Sequence, residues 1–152
     1  MHRSVEQLWQ RYRAVHPDAP PACPPAFYFC DNPKDADLCA ALVAAGIKQA
    51  TAASLAELEL AGCAVPQVGD LAIVTDWAGE ARALIRTSAV EIRRFGDVDA
   101  GFAYDEGEGD RTLEWWRAAH RAYYSRVLAG SGIAVDDDLQ IACEWFDVVL
   151  RA

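Results

Sequence analysis

"AAGIKQATAASL", residues 44–55, is the stretch of sequence that organises the fold, because it contains a helix end, an extended link and a helix start. Gly46 marks a helix end, because glycine readily adopts the left-handed conformation in which many helices terminate. Ser54 precedes Glu57 by three positions, which is the spacing of a capping box, so a new helix begins there. The link between them, "IKQATA", therefore predicts a strand or a turn between two helices.

Outward from this link, periodicity and turn residues predict the other elements. In chain order these are an amphipathic helix (residues 1–16, with a capping box from Ser4 and Gln7), a proline-rich connector (17–25), the strand "AFYFC" (26–30), a helix from Asn32 to Ala45, the helix "LAELELAG" (55–62), the strand "LAIVT" (71–75), a long strand (81–95), a helix (113–127) and the strand "LQIACEWFDVVL" (139–150). The long strand is interrupted at Thr87 and Ser88, which predicts a bulge.

These elements predict an α+β fold. About five mostly antiparallel strands form a small curled or barrel-like sheet, with helices packed at its ends and side. A length of 152 residues with 53% apolar content favours one domain, with a core over residues 26–152. The apolar face of the first helix, with Leu8, Trp9 and Tyr12, is expected to dock to a partner or to a second copy, giving a homodimer.

Charge and composition restrict the function. The formal net charge of −9 opposes tight binding to long nucleic acids, although arginine-rich stretches leave room for a local basic cleft. We expect no membrane segment and a cytoplasmic protein, because the chain begins with a charged amphipathic sequence and holds no long apolar run. The five cysteines include no CxxC pair and are expected to be reduced core thiols.

Lys48 is the first candidate for chemistry, since the chain uses twelve arginines and only two lysines. It follows a helix end, where desolvation would lower its pKa and make it a usable base. Thr51 lies three residues further on and would become a nucleophile if a bend brought its hydroxyl to the lysine. In a regular strand these side chains point to opposite faces. The alternatives are that Lys48 is an ordinary surface lysine and that Thr51 is an ordinary β-branched residue without a chemical role.

The acid-glycine segment "EGEGDR", residues 106–111, is the second candidate. We expect Asp110 to cap the following helix, which leaves Glu106 and Glu108 without a structural role. One of these glutamates is expected to turn back toward a cleft and assist Lys48. A weak Mg²⁺ or Mn²⁺ site at Glu106 and Glu108 and a solvated loop are the alternatives. Arg111 stands where an EF-hand needs glycine, so that type of calcium site is excluded.

Several further side chains are candidates for substrate contacts. Phosphate would be bound by an arginine, a base would stack on an aromatic ring, and a hydroxyl would line the same cleft. The residues concerned are Arg86, Arg111, Tyr28, Trp115 and Ser125. His120 lies on the apolar stripe of its helix and is expected to be a hydrogen-bonded core histidine rather than an acid–base group.

Three segments resemble the ASCH domain family. Residues 44–55 are similar to its Gly-x-Lys signature loop, residues 102–120 to the acidic segment and helix of its longer branch, and residues 141–150 to its closing strand. The resemblance implies a barrel related to the PUA fold and an association with RNA. It departs from the family pattern at Ala53, where an arginine is common.

What the resemblance implies about activity divides in two. One relative in the longer branch is a metal-dependent ribonuclease that acts on single strands, which implies Mg²⁺ or Mn²⁺ held by Glu106 and Glu108. A shorter branch hydrolyses N4-acetylcytidine through a lysine, a threonine three residues later and a glutamate. Lys48 and Thr51 match the first two positions, Glu108 or Glu106 would supply the third, and no cofactor would be needed.

RNA-directed function, as single-stranded RNA binding with metal-dependent ribonuclease activity, is the favoured hypothesis. An amidohydrolase for a modified nucleoside is the alternative and agrees better with the charge of −9. The third hypothesis is a non-catalytic interaction module that uses its first helix.

Overall fold

The structure is a computed structural model that describes residues 1–152. It contains five α-helices, five β-strands and a short 3₁₀ turn at Phe95–Asp97. The helices are α1 (Arg3–Val15), α2 (Pro33–Ala44), α3 (Leu55–Leu60), α4 (Ala100–Glu106) and α5 (Leu113–Val127), and the strands are β1 (Ala26–Phe27), β2 (Ala50–Ser54), β3 (Leu71–Thr75), β4 (Ala81–Arg94) and β5 (Gln140–Arg151).

The five strands form one mixed sheet in the order β1-β3-β4-β5-β2. Only the β1–β3 pair is parallel, and every other pair is antiparallel. The α+β class with a mostly antiparallel sheet is therefore confirmed. The sheet is open, because β1 and β2 lie at its two edges and do not pair with each other, whereas a closed barrel has no edges.

Three apolar clusters hold the helices on the sheet. Helix α1 packs on Ile73 and Leu84. Helix α2 packs on the opposite side of the same strands through Cys39 and Val43. Helices α4 and α5 cover β2 and the first half of β5, around the side chain of Trp116. The loop between α4 and α5 is thereby brought beside the start of β2.

The first helix is part of this core. Its apolar side chains Val5, Leu8, Trp9 and Tyr12 are 1 to 4% exposed and pack within the chain. The docking face predicted for a homodimer is thus already occupied, because β3 and β4 cover it. The predicted capping box is also wrong, since His2 is the N-cap of α1.

Local signals in the sequence located most elements. The capping box of Ser54 and Glu57 and the Asn32 cap of α2 are present. The pairing of β4 with β5 shifts between Thr87 and Ala89, which confirms the bulge. The strand "AFYFC" is shorter than predicted and covers only Ala26–Phe27, and helix α4 was not predicted.

A helix that crosses a membrane needs about 20 mostly apolar residues, and the chain has five helices. None of them combines the length and the hydropathy needed to cross a bilayer.

Candidate functional site

Lys48 is the centre of a buried polar cluster, and the end of α2 places it there. Gly46 follows the helix with φ 77°, the left-handed conformation that lets a chain leave a helix sharply. The N–H of Lys48 then donates to the carbonyl of Leu42 at 3.1 Å. The next N–H, that of Gln49, donates to the Asp105 carbonyl at 2.7 Å, which ties this link to α4.

Two carboxylates from the acid-glycine segment reach the Lys48 ammonium. Nζ of Lys48 lies 3.0 Å from Oε2 of Glu106 and 2.9 Å from Oε2 of Glu108. It also donates to the carbonyl of Ala50 at 2.8 Å. An ammonium has three N–H donors, so these partners account for all of them. The predicted approach of a glutamate to Lys48 is therefore present, and it involves both glutamates.

The second oxygen of Glu106 faces helix α5. Its Oε1 accepts from Nε1 of Trp116 at 3.1 Å and lies 3.3 Å from Nε2 of His120. Residues four apart in a helix share one face, so α5 presents both groups to the same oxygen. Their rings stack with centroids 4.1 Å apart. Glu106 is thus fixed from both sides.

The surroundings of His120 favour its doubly protonated form. Nδ1 lies 2.9 Å from the carbonyl oxygen of Trp116, and Nε2 faces the carboxylate of Glu106. Both partners are acceptors, so each ring nitrogen needs a proton to form its hydrogen bond. Burial lowers the pKa of His120, but the attraction of Glu106 outweighs it and the pKa is raised.

Lys48 keeps its proton in this environment. Burial opposes the ammonium, but the charges of Glu106 and Glu108 outweigh burial and raise the pKa of Lys48. The sequence predicted a lowered pKa, because desolvation was considered without both counter-charges. Burial also opposes the Glu106 carboxylate, yet Lys48 and His120 hold its pKa well below the usual range. Lys48 is therefore a fixed positive charge and a poor proton acceptor.

Glu108 differs from the rest of the cluster in accessibility. Its side chain is 16% exposed, whereas those of Lys48 and Glu106 are 1% exposed. Burial and the neighbouring Glu106 raise the pKa of Glu108, against the opposing effect of Lys48. Its Oε1 accepts from Sγ of Cys39 at 3.3 Å. Glu108 is thus the carboxylate of the cluster whose pKa is raised and which meets the surface.

The two glycines of the segment are required by space and by backbone conformation. Gly107 ends α4 with φ 72°, and a Cβ there would lie 2.6 Å from the carbonyl oxygen of Ile47. Gly109 has φ 58°, and its Cβ would lie 2.2 Å from the ring of Trp115. Both contacts are shorter than real Cβ contacts, so glycine lets the glutamates turn back onto Lys48.

Asp110 does not cap α5 as predicted. The N-cap is Thr112, whose side chain accepts from the N–H of Trp115. Asp110 lies two residues before the cap and accepts from both the N–H and the hydroxyl of Thr112. It supports the cap instead of forming it.

Comparison with known proteins assigns the chain to a family. The family model of the ASCH domain matches residues 25–150. The chain belongs to the ASCH domain family. ASCH domains are generally regarded as RNA-binding modules.

Two solved structures are similar over nearly the whole ASCH chain. A crystal structure of an ASCH domain from Lactobacillus crispatus JV V101 is 31% identical, has a TM-score of 0.87, and aligns over 98% of this chain and 96% of its own. A crystal structure of a protein from Enterococcus faecalis V583 is 29% identical, has a TM-score of 0.87, and aligns over 98% of this chain and 90% of its own. A search of curated protein sequences found no match.

The structure places Thr51 on the regular strand β2 of the ASCH domain. Burial alternates along β2, with Ala50 and Ala52 buried in the cluster under α4 and α5. Thr51 alternates with them and therefore points to the other face, where it pairs across the sheet with Glu144. No hydrogen bond joins Thr51 to Lys48, because no bend occurs between Ala50 and Ser54.

The predicted substrate contacts are dispersed over the ASCH domain. Arg86 donates to the hydroxyl of Tyr12 on α1, and Tyr28 lies against Trp77 beside a depression of about 500 Å³ next to α1. Ser125 is exposed and donates to the carbonyl of Arg121 within α5. None of these three contacts the Lys48 cluster.

Arg111 and Trp115 lie closer to the cluster, on the acid-glycine segment and its following helix. Arg111 has φ 65°, stacks on the ring of Tyr104 at 3.5 Å, and donates to the Tyr104 carbonyl. Trp115 covers Gly109. These two side chains therefore hold the segment in place on its outer side.

Two members of the cluster were not identified from the sequence as site residues. Cys39 was grouped with the core thiols, and Trp116 was treated only as part of the aromatic run of α5. The i, i+4 spacing of Trp116 and His120 was the available signal, but their shared partner Glu106 lies on another helix. Cys39 lies 69 residues from Glu108 in the chain, and no local sequence pattern predicts that contact.

The donor atoms around Glu106 and Glu108 bear on the divalent ion that the resemblance implies. Carboxylate oxygens of Glu106 and Glu108 and a ring nitrogen of His120 lie within 4.8 Å of one another. Oε2 of each glutamate, however, is already bonded to the Lys48 ammonium, and His120 faces Glu106 as a donor. The arrangement therefore fits an internal cation better than Mg²⁺ or Mn²⁺, which require free oxygen ligands.

Proposed function

We propose that this ASCH domain binds single-stranded RNA and cleaves it by acid–base chemistry at Glu108. The observation that carries the proposal is the accessibility of Glu108 beside two buried members of the same cluster. It is 16% exposed, whereas Lys48 and Glu106 are 1% exposed. A substrate can therefore reach Glu108 first, and the other groups act through it.

The chemistry suits a group that exchanges protons. The raised pKa of Glu108 makes it a better proton acceptor than an ordinary surface carboxylate, and efficient general bases have pKa values near the working pH. In RNA cleavage, Glu108 takes the proton of the attacking hydroxyl, and the phosphodiester oxygen leaves with a proton from solvent. The proposed step uses only this chain's own residues.

Lys48 is a positioning residue in this proposal. Its three N–H donors are used by Ala50, Glu106 and Glu108, so none is left for a phosphate. It fixes the rotamer of Glu108 and keeps the carboxylate pointing to one place. Glu106 in turn pairs with Lys48, and His120 pairs with Glu106.

An amidohydrolase for an acylated nucleoside is the second candidate function. The net charge of −9 favours it, because a neutral nucleoside is not repelled. The resemblance assigns the attack to Thr51, which lies on the other face of β2 from Ala50 and Ala52. We therefore assign the attack in this chain to a water that Glu108 deprotonates. The water oxygen bonds to the acyl carbon, the C–N bond breaks, and the amine leaves with the proton that Glu108 received.

The test compares wild-type protein with Glu108→Gln and with the exposed control Glu59→Gln. A fluorescent single-stranded RNA and N4-acetylcytidine serve as substrates, each with and without EDTA. Wild type and Glu59→Gln should cleave RNA at equal rates. Glu108→Gln should cleave it about 10²- to 10⁴-fold more slowly, which is the usual contribution of a general base. EDTA should leave the rate unchanged.

The other outcomes separate the candidates. Cleavage that EDTA abolishes means that a divalent ion is required and that the metal-dependent form of the ribonuclease hypothesis is correct. Turnover of N4-acetylcytidine without RNA cleavage selects the amidohydrolase. Equal RNA cleavage by Glu108→Gln and wild type contradicts any role of Glu108 in that reaction.

A further inference from the structure

The structure places two thiols next to the Lys48 cluster. Sγ of Cys30 and Sγ of Cys39 are 3.6 Å apart, and Sγ of Cys39 donates to Oε1 of Glu108 at 3.3 Å. Cys30 is half-buried and lies between β1 and α2, whereas Cys39 is buried on α2. Cys30 is thus partly exposed, and Cys39 joins it to the carboxylate of Glu108.

The backbone of Cys30 is unusual. It has φ 67°, in the left-handed region that residues with a Cβ rarely adopt, and only one other non-glycine residue of the chain shares this feature. Backbone outliers of this kind persist where the surrounding structure holds them, and they concentrate at functional sites. Here the outlier coincides with the residue whose sulfur meets Cys39.

We propose that Cys30 and Cys39 form a peroxide-oxidised disulfide site, with Glu108 as the base that accepts the Cys39 proton. The sulfur–sulfur distance carries the inference, because a disulfide of about 2.05 Å requires only a small further approach. The approach involves irregular backbone at Cys30, so the helix that carries Cys39 can stay in place.

The reaction balances with hydrogen peroxide as the two-electron oxidant. The Cys30 thiol gives its proton to solvent, and the thiolate attacks one peroxide oxygen. The O–O bond breaks, a sulfenic acid forms, and the departing hydroxide takes up a proton from solvent to become water. Cys39 then attacks the sulfenic sulfur, the S–O bond breaks, and the Cys39 proton passes through Glu108 to the departing hydroxide. Two thiols have lost two electrons and two protons, and one peroxide has become two waters.

Oxidation has a consequence for the cluster, and this part rests on the proposed function. The disulfide has no S–H, so Glu108 loses the donor at Oε1 and keeps Lys48 as its remaining partner. The carboxylate is then held by fewer contacts. We expect RNA cleavage to slow by about fivefold, the change that one lost hydrogen bond produces.

The test uses the full chain with Cys23→Ser and Cys63→Ser, which leaves Cys30, Cys39 and Cys143. After treatment with hydrogen peroxide, thiols are counted in denaturant and the disulfide is located by peptide mass spectrometry. Two of the three thiols should be lost, with Cys30 joined to Cys39, and dithiothreitol should restore both. The matched variant Cys30→Ser should form no disulfide and should keep Cys39 and Cys143 as thiols.

Persistence of all three thiols, under peroxide that oxidises a free cysteine in solution, would overturn the site. A disulfide that includes Cys143 would overturn it as well. The link to cleavage is judged separately, from the rate before and after oxidation in the same background. An oxidised protein with an unchanged rate refutes the coupling to Glu108, and absence of RNA cleavage before oxidation refutes the proposed function while the thiol count still decides the site.

Discussion

Glu106 and Glu108 contact the same ammonium, yet their environments give them opposite properties. Glu106 accepts from Lys48, Trp116 and the imidazolium of His120, and its pKa is depressed. Glu108 accepts from Lys48 and a thiol at the edge of the cluster, and its pKa is raised. A carboxyl group whose pKa is depressed in the folded state stabilises that state at neutral pH. A carboxyl group whose pKa is raised in the folded state destabilises it when ionised.

Replacing each glutamate by glutamine should therefore have unequal effects. Glu106→Gln leaves buried Lys48 with one carboxylate instead of two and His120 without its carboxylate, and should lower the free energy of unfolding by about 3 to 5 kcal/mol. Glu108→Gln removes a charge that its surroundings disfavour and should change it by less than about 1 kcal/mol. Urea unfolding at pH 7 measures both. Equal losses in the two variants would contradict the division of roles.

His120 makes a prediction for the pH dependence of stability. Its pKa is raised in the folded state, so its contribution is complete below the unfolded value of about 6.5 and is lost as pH rises through the folded value. As pH rises above about 6.5 and through the folded value, the free energy of unfolding should fall by up to about 1.4 kcal/mol per pH unit. His120→Gln should remove this slope, and the exposed His16→Gln should keep it. A slope that persists in His120→Gln assigns the titration to another group.

How far the sequence predicts these residues depends on the kind of information that each one requires. The meeting of Lys48 with the acid-glycine segment was predicted, because glycines beside unexplained acids indicate a turn back toward the core. The direction of the Lys48 pKa was not, since it depends on two counter-charges at 3.0 and 2.9 Å that only the tertiary structure counts. The predicted convergence of Thr51 depended on a bend that the regular strand lacks.

At the level of the elements, the loop from α4 to α5 sets the geometry of the cluster. It begins at Gly107 in a left-handed conformation, passes Glu108, and reaches the Thr112 cap of α5 five residues later. Each end is fixed by a helix terminus. The last residue of α4 and the loop that follows it therefore bring Glu106 and Glu108 to the Lys48 ammonium, just before β2.

Gly107→Ala tests this role of the loop. The new Cβ would lie 2.6 Å from the carbonyl oxygen of Ile47, and the φ of 72° would add backbone strain to the alanine. Gly130→Ala is the matched control, because its φ of 77° is similar and nothing lies within 4 Å of its Cβ. The control should lose about 1 to 2 kcal/mol from the left-handed backbone, and Gly107→Ala should lose about 1 to 3 kcal/mol more from the clash. Thermal unfolding of both variants measures the difference, and equal shifts would show that the Ile47 contact is relaxed at little cost.

Elements with clear boundary residues were predictable, and those without were not. Helix α2 begins after Asn32, α3 after Ser54, and each of those caps was identified from the sequence. Helix α4 is seven residues long, follows Asp99, and contains a glycine and two acids, so it shows no amphipathic period. The strand β1 is short because only two residues pair with β3, although the apolar run continues to Cys30.

Over the whole molecule, α1 and the Lys48 cluster occupy different parts of the structure. Helix α1 seals Ile73 and Leu84, while the cluster lies between α2, β2, α4 and α5. The family model begins at residue 25, yet the two solved structures align over 98% of the chain. The first helix thus belongs to the shared architecture, although the family model does not include it.

Trp9→Ala should show that α1 stabilises the whole molecule. Trp9 is 2% exposed in the cluster under α1, and its loss should cost about 3 to 5 kcal/mol. Trp77 is 40% exposed, so Trp77→Ala is the matched control and should cost less than about 1 kcal/mol. Chemical unfolding gives both values, and sedimentation of the wild type should show a monomer. A dimer that dissociates in Trp9→Ala would mean that this face is shared between copies.

Lys48 supplies a buried positive charge to the cluster from within the polypeptide. A counter-ion that is covalently part of the chain is present once per molecule at every concentration of dissolved salts. It cannot be extracted by dialysis, exchanged for a larger or smaller ion, or depleted when magnesium is scarce. The geometry around Glu108 is therefore complete as soon as the chain has folded, and it needs no loading step after synthesis.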